Sequence, residues 1–179
     1  MVLAAALLAG GCWTGSDAPV PVSPPARTPA PRPLQLRVQL ERTPCLGACP
    51  AYTVTIAGDG RVTWNGRSNV LAIGSRQGTV THRELEQLSR LIDRAQFFER
   101  NEYGNLPAKP ECTTTGTTTT CSFSAAVSIC TDSPHAILRV RRDGRSHVVD
   151  NDHCTARPEL DALEDYVDRI ANTDAWIGS

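Results

Sequence analysis

YTVTIAGDGRVTWNG, residues 52–66, places two alternating runs around Asp59-Gly60, and its reading decides the fold. Tyr52, Val54 and Ile56, then Val62 and Trp64, put an apolar residue at every second position, the period of a strand with one face on a core. Asp-Gly tolerates positive φ, so the two runs read as a hairpin. The plan recurs downstream, where AILRVRR (136–142) and RSHVVD (145–150) flank Asp143-Gly144. LQLRVQLE (34–41) alternates in the same way, and a further short strand is expected near Val70–Ile73.

A helical pattern follows each hairpin. Thr81 and Glu84 have the spacing of a capping box, in which each side chain satisfies a backbone donor at the helix start. Leu85, Leu88, Ile92 and Ala95, with Leu91 beside them, predict a helix over 82–96, closed against the core by Phe97 and Phe98. Pro158 suits the first turn of a second helix, whose stripe is Leu160, Leu163, Val167 and Ile170. ELEQLSRLIDR (84–94) aligns without a gap on ELDALEDYVDR (159–169). Helical periodicity alone produces part of that match, but the repeated order of hairpin then helix points to an internal duplication. The expected fold is α+β: an antiparallel sheet of hairpins with two helices on one face, braced by disulfides, over a single domain at 34–179.

The chain has 179 residues and a formal net charge of −1. A nucleic-acid binder usually shows a strongly basic domain or stripe, so no nucleic-acid partner is expected. The sequence has no G-x-S-x-G, H-E-x-x-H, P-loop or dinucleotide fingerprint. His82, His135, His147 and His153 fall near element ends and read as surface residues rather than bases. The expectation is a protein without enzymatic activity or cofactor.

Residues 1–11 form an apolar run and a small-residue zone that read as an export signal, too short to span a membrane. LAGGC, ending at Cys12, resembles the bacterial lipobox, which implies cleavage before Cys12 and lipid on that residue. Trp13 stands where an inner-membrane retention signal would place aspartate, which implies the outer membrane, facing the periplasm. Residues 12–33 hold seven of the thirteen prolines. Such a stretch favours polyproline II and reaches roughly 60 Å as a tether.

Seven cysteines are present, and lipid on Cys12 leaves an even six. RTPCLGACPAY (42–52) sets Cys45 and Cys49 before Pro50. The spacing resembles the C-x-x-x-C-P motif of Sco-type copper chaperones, in which soft thiolates hold Cu(I). In that family the motif opens a helix, whereas AYTVTIAG reads as a strand, and a structural disulfide is the preferred reading. Pro44 and Gly47 can turn the chain tightly enough to close it, for about 2 kcal/mol of loop entropy. Cys112 and Cys121 flank a threonine-rich run expected to be an exposed loop closed by that pair. Cys130 and Cys154 are the remaining expected pair, although six cysteines allow about fifteen connectivities.

Two further groups stand out. Asp150, Asp152, His153 and Cys154, with His147 before them, could ligate a metal, but their spacing fits neither a calcium loop nor a zinc pattern. They read as a solvated loop. Arg139 and Arg141 share a strand face, with Arg142 and Arg145 nearby. Phosphate-bearing or acidic glycans are conceivable ligands for that group, and a solvent face that discourages edge pairing is the plainer reading.

RTPCLGACPAYTVTIAGDGRVTWNG (42–66) resembles the opening of a bacterial family known only as a domain of unknown function. Arg42, Thr43, Cys45, Gly47, Cys49, Pro50 and Tyr52 match its Arg-Thr-x-Cys-x-Gly-x-Cys-Pro-x-Tyr pattern. AQFFER, Thr131-Asp132-x-Pro134 and the C-terminal helix running to Trp176 extend the likeness. The resemblance supports the fold, brings no known activity and leaves function open. The function expected is that of a lipid-anchored envelope module that binds an envelope protein or glycan, or has a structural role.

Overall fold

The computed structural model describes residues 33–106, 111–122 and 132–178. The expected signal segment, Cys12, residues 13–32 of the tether and Cys130 lie outside them. The elements in chain order are β1 (Leu36–Arg42), β2 (Ala51–Ala57), β3 (Arg61–Ser68), β4 (Gly74–Thr79), α1 (His82–Arg94), β5 (Glu111–Thr115), β6 (Thr118–Ser122), β7 (Ala136–Arg142), β8 (Arg145–Asn151), α2 (Pro158–Ala171) and α3 (Asp174–Ile177).

Six strands form one antiparallel sheet in the order β4-β3-β2-β1-β7-β8. Strand alternation sorts its side chains sharply. Val38, Leu40, Val54, Ile56, Trp64, Leu138 and Val149 point to one face and are fully buried with Leu88, Leu160, Leu163 and Val167 of the helices. Arg37, Arg61, Thr63, Asn65, Gln77 and Arg141 point to the other face and are exposed. The architecture is α+β, with α1 and α2 packed on one face of the sheet. The aligned helix positions are buried alike, Leu85 with Leu160, Leu88 with Leu163, and Ile92 with Val167.

The two Asp-Gly turns fold differently. At the second, Asp143 (φ 50°) and Gly144 (φ 81°) both take left-handed conformations in a two-residue turn between paired Arg142 and Arg145. At the first, only Gly60 does (φ 90°), and the Gly60 N–H donates to Ala57 O at 2.9 Å. Close packing requires glycine two residues before Gly60 as well, because a Cβ on Gly58 would stand 1.8 Å from the Leu34 carbonyl oxygen.

Local propensity was overridden in one place and underrated in another. The short strand expected near Val70–Ile73 lies instead at Gly74–Thr79, an edge whose outward residues need no apolar character. Val70–Ile73 forms a loop in which the Leu71 and Ala72 amides donate to Ile177 O and Trp176 O, both at 2.9 Å, and so hold α3. The threonine-rich run is a hairpin rather than a loop. Cys112 lies opposite Cys121 and is bonded to it, with Thr113 facing Thr120. β-Branched threonine fits an exposed ladder even where nothing is buried.

The Thr81–Glu84 capping box is present, and α1 ends at Arg94, two residues before the expected 96. Gln96 (φ 48°) then turns the chain into a 3-10 turn, Phe97–Glu99, which buries Phe97. Arg100 donates to Ala95 O (2.7 Å), a carbonyl left open at the helix end, and to Gly104 O (2.6 Å) in the turn that follows.

Candidate functional site

Arg42 ends β1 on the helix-facing side. Its Nη1 donates to Glu164 Oε2 at 2.9 Å, and its Nη2 and Nε donate to Asp168 Oδ2 at 2.9 and 3.3 Å. Tyr52 lies opposite Arg42 across the β1–β2 ladder, and its hydroxyl donates to Asp168 Oδ1 at 2.7 Å. Glu164 is wholly buried, on the apolar face of α2 between Leu160 and Val167. Asn151 Nδ2 donates to its Oε1 at 2.8 Å, and His153 Nε2 lies 3.2 Å from its Oε2. A buried carboxylate is tolerable only when paired and hydrogen-bonded on this scale. The network ties the end of β1 to α2 and to the loop after β8.

The environment shifts three of these groups. Burial opposes the charge on Arg42, but Asp168 and Glu164 outweigh it and hold the guanidinium above its ordinary range. Burial, followed by the negative charge of Asp168, pushes the Tyr52 phenol up. The hydrogen bond to Glu164 raises His153 above 6.5, against burial and the Arg42 charge, with Asp161 adding to the rise. A raised imidazole pKa contributes stability that is full below the unfolded pKa of about 6.5 and is lost as pH climbs through the folded value. His153→Gln should therefore cost most at pH 5–6 and least above pH 8. Urea melts of both proteins across that range test this, and a pH-independent difference would refute it.

His153, Asp161 and Glu164 bring ligand atoms within 4.8 Å of one another. Arg42 Nη1, at 2.9 Å from Glu164 Oε2 and 3.4 Å from His153 Nε2, already supplies the positive charge that a metal ion would bring. The four-residue group considered from sequence does not converge. Asp150 pairs with His135 at 2.7 Å, and Asp152 accepts from Arg157 and from the Cys154 amide, both at 3.1 Å. Cys154 is disulfide-bonded, and its expected partner Cys130 is outside the described residues.

Cys45 and Cys49 form a disulfide with a Cα–Cα separation of 5.6 Å, and the Gly47 amide points at Cys45 Sγ at 3.3 Å. The residue after Pro50 opens strand β2, not a helix. Cavities lie on both sides of this loop. One of about 190 Å³ is walled by Cys49, Pro50, Pro134 and Ile177 over Arg42, Tyr52 and His153. The other, about 540 Å³, is lined by Pro44, Cys45, Leu46, Ser133, His135 and Asp150 among others. His135 is half-buried, with Asp150 Oδ1 2.7 Å from its Nδ1 in a cavity that Ser133 also lines. His147 is also half-buried, with Nε2 2.8 Å from Arg100 O and its ring against Phe97. His82, partly exposed, opens α1 and lies 3.4 Å from Glu86.

The arginine group is split between the two faces. Arg142 reaches Ser89 and Asp93 of α1, and Arg145 stacks over Phe98 at 4.4 Å. Arg139 and Arg141 lie on the side that no helix among the described residues covers.

The family profile described as a domain of unknown function, DUF6438, matches residues 36–171, from the first residue of β1 to the last of α2. The chain belongs to this family. No curated protein matches it. Of the DUF6438 network, sequence reasoning noted Arg42 and Tyr52 only as motif letters and missed Glu164 and Asp168. One signal was available: Glu164 occupies a position of the helix stripe where an apolar residue is expected. Among the described residues, no helix is long and apolar enough to cross a membrane.

Proposed function

We propose that this is a non-catalytic, lipid-anchored protein of the cell envelope. Lipid on Cys12 holds it in the outer membrane facing the periplasm, and the proline-rich segment 12–33 carries the DUF6438 domain to an envelope protein partner. One observation carries the binding reading. Leu46 is 85% exposed within the disulfide-closed loop and lines the larger cavity, while Cys49 of the same loop lines the smaller one. A stapled loop loses little entropy on docking, so an exposed apolar residue beside a concavity suits a recognition anchor. Leu71, also exposed, lies against Gly178 beside Ile177 of the smaller cavity and extends the apolar surface.

A photo-crosslinker placed at Leu46 in intact cells tests this. A discrete protein adduct, lost when Cys45 and Cys49 are both serine, is expected. Adducts identical to those from exposed Arg90 on α1 would refute it.

One observation favours a second reading, a copper or thiol-redox protein using Cys45, Cys49 and Pro50, because His153 shares a cavity wall with Cys49. Mass spectrometry of protein from its native envelope separates the two. Lipid on Cys12, with Cys45–Cys49 yielding only to strong reduction, supports the binding module. Cysteines that are free, or that reduce first and then take up Cu(I), favour copper.

A further inference from the structure

We infer that the uncovered sheet face binds an acidic glycan, a saccharide chain bearing carboxylate or phosphate groups. The inference does not rest on the loop-end reading, because Arg37, Arg61 and Arg141 line neither cavity beside the Cys45–Cys49 loop.

The face is polar and unevenly charged. Strand register places Arg37, Arg61, Arg139 and Arg141 on it, against Glu41 and Asp150, and Arg67, at the bulge of β3, reaches Glu41 there. Glu41 is spent on Arg67 (2.8 Å) and Arg139 (2.9 Å), which hold its carboxyl below the usual range against some burial. Asp150 is spent on His135, and Arg61 has only Asp59 of its own turn, at 2.9 Å. Arg37 and Arg141 are left directly opposite each other on β1 and β7, with no ion pair among the described residues. Like charges directly opposite in a ladder are destabilising.

Protection of sheet edges does not account for this pair. The edges are β4 and β8, whereas β1 and β7 are interior strands already paired on both sides. An uncompensated cation pair at the middle of an open sheet is what an anionic ligand would relieve.

The surroundings fit a saccharide. Beside Arg37 lies a groove of about 440 Å³, lined by Thr55, Arg61, Thr63, Gln77 and Thr79. Hydroxyls and an amide offer both donors and acceptors to sugar hydroxyls. Arg61 on β3 stands two strand steps from Arg37, about 10 Å, so separate anionic groups along one chain could be met. Tyr52 and Trp64 point to the buried side, so they give this face no ring on which nucleic-acid bases could stack.

Calorimetric titration of the full chain in detergent with oligogalacturonate, a phosphorylated mannan and a neutral maltooligosaccharide tests the inference. Binding of at least one acidic saccharide, weakening with salt, and none of the neutral one, is expected. Arg37→Gln/Arg141→Gln should weaken it at least tenfold while raising the thermal midpoint, since the repulsion goes with the site. Arg37→Lys/Arg141→Lys should keep most of the affinity. The oligogalacturonate and mannan arms show whether carboxylate or phosphate is preferred. No binding of either acidic saccharide, affinity unchanged in the glutamine variant, or equal binding of a short DNA duplex would each overturn the inference.

Discussion

Arg42→Ala should destabilise the domain by roughly 3–5 kcal/mol, the range for removing one partner of a buried ion pair. The size comes from what remains rather than from the contact itself. Glu164 stays fully buried, with only Asn151 and His153 to satisfy it, and Asp168 keeps only Tyr52 among the partners at this site. Arg42→Lys should recover little, because one guanidinium here serves two carboxylates through separate nitrogens, a fork that an ammonium cannot reproduce. Arg42→Met with Glu164→Leu should recover at least half of the loss, since the buried charge and its counter-ion go together. Urea denaturation of the three variants gives the measurement. A loss below about 1 kcal/mol in Arg42→Ala, the scale of an exposed pair, would show that solvent reaches Glu164 and that the network does not clamp the domain.

That network also marks where sequence reading stopped. The hairpins, both helices, the capping box and the Pro158 start follow from period and local chemistry, which act over a few residues. Register and layer then follow, since a strand of alternating residues can bury only one face. The meeting of Arg42 with Glu164 and Asp168 spans more than a hundred residues and depends on how α2 crosses the sheet, which no local pattern encodes. β4 was misplaced for a related reason. GSRQGT has no strand signal of its own, and its pairing is imposed by β3. The uncovered face was half visible: alternation put Arg139 and Arg141 together, but only the strand order shows that they sit on an interior strand opposite Arg37.

Trp64→Ala should cost at least as much as Arg42→Ala, about 3–5 kcal/mol by the general range for large-to-small changes at a buried aromatic. Trp64 is fully buried, stacks on Tyr52 with ring centroids 4.4 Å apart, and meets Trp176 at 5.3 Å. Its Nε1 donates to Ala72 O at 2.9 Å, and the Ala72 amide donates in turn to Trp176 O. One side chain therefore supports the Tyr52 end of the Arg42 network, the 70–73 loop and the seat of α3. Trp64→Phe separates these roles. It keeps an aromatic on Tyr52 but strips the buried Ala72 carbonyl of its donor, a loss of about 1–3 kcal/mol. The two variants should also differ in hydrogen exchange. In Trp64→Phe the extra exchange should concentrate at Leu71, Ala72 and α3, whereas in Trp64→Ala it should reach β2 and the Cys45–Cys49 loop. Confinement of both variants to the C-terminal turn would mean that Trp64 only latches α3. Spread to the disulfide loop in the alanine variant alone would place the loop's rigidity, and so its fitness to dock a partner, under the control of this one ring.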